Sequence, residues 1–416
     1  MPKVINLASR IKRRLPAELI EFMRVAGELA QRQDQKLYLV GGVIRDLLLE
    51  RDNVDLDLVS EGDAINLAQE LARMKQGEVT THPRFGTAKL RWDKWSVDLA
   101  TARAETYARP GALPAVKPSS INDDLSRRDF TINAMAVHLN PGHFGELLDP
   151  HGGRDDIERR LIRVLHEKSF VDDATRIWRA LRYEQRLDFI LEPATLALLK
   201  HDVAMLATIS GDRIRHELEL ILKEPFPEKA LHRADELGIL SKLHPSLKCD
   251  SWLVETLALA REQSPNPPQA LCLALLFYRL TADETEHLIS YLRLARTTAH
   301  ILRDTGALKA KIGSLAVPGL APSRIYSLLH GYGSLALTAN IIATDSATIA
   351  EHIELYLTVL RYVKPAVTGK DLKKLGVPPG PKIKEILSLL FQAKLDGKAS
   401  SRKEEEEIVR GLIKSD

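Results

Sequence analysis

Apolar positions in the first 148 residues fall in short runs bounded by turn residues. From Asp155 onward they recur at the three-to-four-residue spacing of helices. The run Lys36–Val40 stops at Gly41-Gly42, as a buried strand does at a tight turn, and Val43–Glu50 reads as a short helix. Asn53–Val59 reads as a second strand, in which Val54, Leu56 and Leu58 alternate with Asp55 and Asp57. Further strands are predicted at Thr87–Trp92, Trp95–Ala100 and Ile132–Leu139. Between Thr101 and Asp124 the chain carries Pro110, Gly111, Pro114, Pro118, Ser119 and Ser120, which predicts a long, functional or mobile loop. After Asp149-Pro150-His151-Gly152-Gly153 the pattern predicts helix after helix, broken at Pro225–Pro227, Pro265–Pro268, Pro318–Pro322 and Pro378–Pro381. The fold class is therefore α+β: a mixed head followed by an all-helical remainder. The basic opening, MPKVINLASRIKRRL, reads as an amphipathic first helix in preference to a transit peptide.

Composition narrows the class. Hydrophobic residues make 44% and charged ones 28%, the balance of a soluble protein with ample core, and no run approaches a membrane span. Cys249 and Cys272 cannot build a disulfide framework or a zinc site alone, which fits a reducing, cytoplasmic setting. The net charge of +3 decides no partner, but its distribution does more. Residues 361–398 hold nine basic residues against three acidic ones, and a patch of this kind attracts backbone phosphates. The GVPPGP break before Lys382 adds a helix N-terminus, and the run Glu404–Glu407 reads as a solvated face.

The candidate chemistry begins with the alternating aspartates. Side chains two apart on a strand share a face, so Asp55 and Asp57 project together. Such a pair repels itself unless a divalent cation such as Mg²⁺ relieves it; the alternative is two solvated acids on an edge strand. Asp98, in WSVDLAT, is a possible third carboxylate, or else a partner for nearby backbone or Arg103. Arg128, in SRRDFTINAMAVHL, can reach the same cleft edge, where its planar fork suits phosphate; the alternative is a surface pair with Asp129.

In VDDATRIWRALRYEQRL, Arg176, Arg179 and Arg182 repeat every three residues, with Asp173 three before the first. Ile177, Ala180 and Leu181 turn to the core. A solvated ladder would look similar, yet arginines without interleaved acids repel one another and suggest an anionic ligand. Aspartate accepts and arginine donates, so Asp173 with Arg176 could match the amino and ring-nitrogen edges of cytosine or adenine. Guanine and uracil reverse that pattern. Arg179 and Arg182 would then face a triphosphate. His201-Asp202 has no supporting ligand pattern and reads as a helix-surface pair.

Taken in order, GGVIRD, DLD, RRDFTINAMA, LLDPHGG and DDATRIWRALRYEQRL resemble the class II tRNA nucleotidyltransferase and bacterial poly(A) polymerase family. GDRIRHELELIL resembles the helix that closes that family's neck, and VTGKDLKKLGVPPGPKIKEIL is similar to its tail. The resemblance implies a polymerase-beta-like head at 1–148, a neck with a base-reading helix at 149–225, a body at 226–310 and a tRNA-binding tail at 311–416. It also implies that Gly42 and Arg45 contact the nucleotide, Asp55 and Asp57 hold Mg²⁺, and Arg128 binds phosphate. Asp173 and Arg176 would read the base, with Arg179 and Arg182 on the triphosphate. The implied reaction is template-independent, two-metal addition of CMP and AMP from CTP and ATP to the 3′ end of tRNA, gripped by its acceptor arm. Addition of CC alone, A alone or poly(A) are the variants. No membrane and no protein partner are implied. One departure stands out: the family's base-reading motif usually begins Glu-Asp, and here it is Asp172-Asp173.

Overall fold

A computed structural model describes residues 5–112 and 114–414. The chain divides into two compact units, one of Met1–Ile221 with Glu236–Lys242, the other of Leu222–Asp235 with Leu243–Asp416.

The first unit is built on a sheet of seven strands: β1 (Lys36–Val40), β2 (Leu56–Glu61), β3 (Glu78–His82), β4 (Thr87–Trp92), β5 (Trp95–Thr101), β8 (Ala136–His138) and β9 (Leu147–Leu148). Their order is β3-β4-β5-β2-β1-β8-β9. Strand β1 sits near the centre, and Leu37–Val40 are all buried. It runs antiparallel to β2 with Val40 opposite Asp57, while β2 runs parallel to β5 with Asp57 beside Asp98. Helix α1 (Ala17–Arg32) buries Leu19, Phe22, Met23, Ala26 and Ala30 in this unit's core. Its Gly27 lies so close to the Leu139 carbonyl that an added Cβ would stand 2.1 Å from the oxygen. Gly27→Ala is therefore expected to destabilise the first unit by about 1–3 kcal/mol, the usual range for overpacking a filled core. A lowered thermal midpoint checks this, and an unchanged one contradicts the packing.

Several predicted elements differ from what forms. The second strand begins at Leu56, not Asn53, because the Asn53 side chain accepts the Asp55 N–H at 2.9 Å and holds a turn there. Asp55 thus precedes the strand, and Val54 is 48% exposed instead of entering the core. The predicted strand Ile132–Leu139 opens as a 3-10 turn at Thr131–Asn133, where Asp129 Oδ1 accepts the Phe130 N–H and the Asn133 amide. The proline-rich segment 101–124 is not a structureless loop. It contains a hairpin of β6 (Arg103–Thr106) and β7 (Ala115–Pro118), and a helix at Ile121–Ser126 closed by a Ser120/Asp123 capping box. Edge strand β3 was not foreseen, since Glu78–His82 has Val79 as its one apolar residue and carries little periodic signal.

The second unit is helical throughout its described residues. One of its cores gathers Leu308, Leu329, Leu337, Ile353 and Leu360, another Leu372, Ile386, Leu390 and Val409. The acidic run at its end is not wholly solvated. Glu405 is 0% exposed and accepts the Val367 N–H and the Lys394 ammonium, each at 2.7 Å. A carboxylate buried with these partners ties the helix Arg402–Lys414 to the chain before Thr368. Among the described residues no helix is long and apolar enough to cross a membrane.

Candidate active site

Gly41 adopts φ +78°, in the left-handed region, and so turns the chain from β1 into helix α2 (Gly42–Leu48). A Cβ at Gly41 would lie 3.1 Å from an Arg128 guanidinium nitrogen and 3.7 Å from Asp57 Oδ2. The glycine turn therefore brings the phosphate-type cation and the strand carboxylate to one point. Asp57 is pushed up to about 6, chiefly by burial and then by the charges of Asp55 and Asp98, with Arg128 and Lys89 opposing. Asp98 joins this acidic corner from β5, and its own partner is Lys89 at 2.8 Å, not Arg103. A carboxylate held that far from its usual range is under a charge strain that a hard cation relieves. No group of three or more candidate ligands closes on one point among the described residues. The donor set fits a cation held by Asp55 and Asp57 that takes its remaining ligands from a bound phosphate.

Arg128 donates to Asp124 at 3.0 Å, and its buried Nε has no hydrogen-bond partner. Arg45 is more fully engaged. It is 3% exposed, forks onto both Asp46 oxygens at 2.9 Å and donates to Asn133 at 2.7 Å. Gly42 starts α2 directly beneath, with the Arg45 guanidinium 3.4 Å from where a Cβ would stand.

Helix α3 (Thr175–Leu187) carries the arginine ladder, with Ile177, Ala180 and Leu181 buried as expected. The ladder is not free of acids. Arg179 donates to Asp129 at 2.6 and 2.8 Å, and Glu217 stands 3.8 Å from both Arg179 and Arg182. Burial pushes Asp129 up, but Arg179 outweighs it and brings the carboxyl down to about 2. Burial raises Glu217 despite both arginines, and its Oε2 has no hydrogen bond. The repulsion read from sequence is thus already relieved in part by the protein itself.

Asp173 and Arg176 are not paired. Asp173 is extended at φ −143°, ψ 98°, at the end of the short helix Ser169–Asp172, so the helical three-residue relation does not reach it. Its Oδ1 accepts the Thr175 N–H and hydroxyl, and its Oδ2 accepts Arg213 at 2.7 Å. Arg176 donates instead to Ser169 Oγ and to the Arg127 carbonyl, each at 2.7 Å. Gly41, Gly42, Arg45, Asp55, Asp57, Arg128, Asp129, Asp173, Arg176, Arg179, Arg213 and Glu217 line one cleft of about 1020 Å³, whereas Arg182 is buried on α3 and neither it nor Asp98 lines the cleft. The hairpin β6–β7 forms part of its wall: Tyr107 donates to Glu105, which also accepts from Arg127. Arg213, Glu217 and Tyr107 were not singled out from sequence, and Asp129 only as a surface partner of Arg128, whereas it is buried and pairs with Arg179. Their only signal was membership of the motifs RRDFTINAMA and GDRIRHELELIL, or, for Tyr107, none. His201 bonds its neighbour Asp202 at 2.7 Å, and the two lie outside the cleft.

Residues 37–163 match the family model described as Poly A polymerase head domain, and residues 188–250 that described as Probable RNA and SrmB- binding site of polymerase A. An A-adding tRNA nucleotidyltransferase of Halalkalibacterium halodurans is 33% identical over 96% of this chain and 94% of its own length. The chain belongs to the class II tRNA nucleotidyltransferase family. An A-adding member from Geobacter sulfurreducens is 36% identical over 99% of the chain, which spans about half (49%) of that longer relative. Among solved members, the Thermotoga maritima CCA-adding enzyme complexed with tRNA is similar with a TM-score of 0.80 and 30% identity, over 99% of this chain and 100% of that one. Nucleotidyltransferases of this family use a divalent metal, which agrees with the acidic corner around Asp57.

Proposed function

We propose that the chain adds nucleotides from ATP, CTP or both, without a nucleic-acid template, to the 3′ end of tRNA and releases pyrophosphate. The observation that carries this reading is the convergence at Gly41 of Asp57 and Arg128, in one cleft with Asp173, Arg176 and Arg179. Asp55 and Asp57 would hold Mg²⁺, which when bound favours the ionised form of the attacking 3′-hydroxyl and offsets charge on the leaving pyrophosphate. The protein's share is positioning and fixed charge. Arg128, with a buried Nε left unpaired, receives phosphate oxygens. Arg179 and Arg182 support the triphosphate, with Asp129 and Glu217 as their counter-charges until it arrives. Arg45, locked to Asp46 and Asn133, shapes the floor on which Gly42 lets a nucleotide approach. Asp173 and Arg176 select the base. The basic stretch 361–398 supplies a surface for the tRNA backbone. Two buried, free cysteines accord with a cytoplasmic setting.

Within this activity, addition of the terminal A alone is favoured over full CCA addition, because the two relatives above that add A are 36% and 33% identical to the chain. Purified protein, offered ATP or CTP with tRNA ending before CCA, after C or after CC, separates these outcomes. Extension only of the CC-ended tRNA, by ATP alone, is the result expected; CTP incorporation on the shorter tRNAs would restore the CC- or CCA-adding reading.

A further inference from the structure

Helix α4 (Gln269–Phe277) is almost wholly apolar and is buried from Leu271 to Phe277. Past Tyr278 the Thr281/Glu284 capping box starts α5 (Ala282–Tyr291), and α6 (Arg296–Lys309) follows. These three helices of the second unit border a cavity of about 470 Å³, a size that suits a small molecule. Its apolar wall is made by Phe277, Leu280 and Leu302, exposed by 3%, 7% and 3%. Space remains because α6 passes the cavity with Gly306, where an added Cβ would meet nothing within 4 Å.

The charged groups that line this cavity are unequal. Glu286 and Arg303 close on each other through two hydrogen bonds of 2.5 and 2.8 Å, so their charges offset one another. Lys309 stands roughly 9 Å further along α6. Its ammonium donates to the Tyr278 carbonyl at 2.6 Å and lies 5.1 Å from the centre of the Tyr278 ring. Among the described residues no carboxylate pairs with it. Burial, reinforced by the charge of Arg279, pushes this ammonium below the ordinary lysine range. An ammonium carries three donors, and the carbonyl takes one of them. An apolar wall beside an unneutralised cation is complementary to an apolar body that carries one negative charge. A dianion such as phosphate fits less well, because the Tyr278 carbonyl and the Glu286 carboxylate would face its second charge.

We propose that this cavity binds an amphipathic monocarboxylate, its chain against Phe277, Leu280 and Leu302 and its carboxylate on the Lys309 ammonium. Burial of the chain supplies most of the affinity, and the charge-assisted hydrogen bond selects the sign of the head group. The site lies within the second unit and does not rest on the proposed transfer activity.

The test titrates decanoate into the full chain by calorimetry, below the concentration at which it forms micelles. Decyltrimethylammonium serves as a chain of equal length and opposite charge. Decanoate should occupy one site per chain with a Kd on the order of 0.1 mM, the affinity that a ligand this small supports. The cationic chain should bind about tenfold more weakly or worse. Lys309→Met keeps the stem without the charge and should weaken decanoate by about tenfold, whereas Lys309→Arg should stay within about threefold of the parent. Gly306→Leu fills the cavity from a helix that gains by losing a glycine, so it should fold and bind no decanoate. No saturable site in the parent, equal binding of the two chains, or parental affinity in folded Lys309→Met or Gly306→Leu would each overturn the proposal. If Lys309→Met does not fold, the comparison of the two chains on the parent decides the role of the charge.

Discussion

Asp55→Ala reduces nucleotide addition by about a thousandfold or more, the order expected when a metal-holding carboxylate is removed from a charge-stabilised transfer. The tRNA affinity stays within about twofold of the parent, because the surface that meets backbone phosphate carries cations, not this acid. The loss has two sources. Asp55 is one of two carboxylates on which the cation rests, and its charge also helps raise Asp57 to about 6. Removing it relaxes Asp57 toward its ordinary range and dissolves the acidic corner. Steady-state addition and a filter-binding isotherm on the same preparation check both halves. Substantial turnover in the variant would remove Asp55 from the machinery.

The second large effect falls on stability as well as on activity. Asp57→Asn should be inactive yet more stable than the parent when divalent metal is chelated. The folded-state value of about 6 lies above the ordinary aspartate value of 3.8, so the folded chain holds this proton more tightly than the unfolded one does. The ionised carboxylate then costs stability as pH rises from about 4 through 6, by about 1–3 kcal/mol once fully charged. Asparagine keeps the shape and removes that cost, as at other sites where function is held against stability. Thermal midpoints in chelator at pH 7.5 should rise by several degrees in the variant, and the gain should vanish near pH 4. A midpoint unchanged or lowered at pH 7.5 contradicts the strained-acid account. Added Mg²⁺ should stabilise the parent and not the variant, since only the parent keeps both ligands.

The acidic corner was legible because its signals are local. A strand that ends in Gly-Gly, followed by a second in which Asp57 stands between leucines, states much of its own geometry, and Asp57 falls beside Asp98 through the pairing of β2 with β5. The base-reading wall was less legible. Spacing placed Asp173 on the ladder, but the helix starts two residues later, and the partner of Asp173 comes from Arg213. Nothing in periodicity links positions so far apart. Counter-charges were hidden for the same reason: Asp129 and Glu217 neutralise arginines that look unopposed along their own helix. Proline and glycine between 101 and 124 spell a long, functional or mobile loop, whereas they bound a hairpin whose Tyr107 and Glu105 line the cleft. In the same way Glu405 was one acid in a polar run until backbone N–H groups from residues 366 and 367 were seen to bury it.

In the proposed function this cleft transfers nucleotides to tRNA. Its most direct test incubates the purified chain with Mg²⁺, labelled ATP and CTP, and tRNAs ending before CCA, after C and after CC, and resolves products at single-nucleotide length. Nucleotide addition to at least one of these ends is expected, matched by an equal yield of pyrophosphate and abolished by chelator. Failure to extend any of the three tRNAs, by a folded protein that binds them, would contradict it.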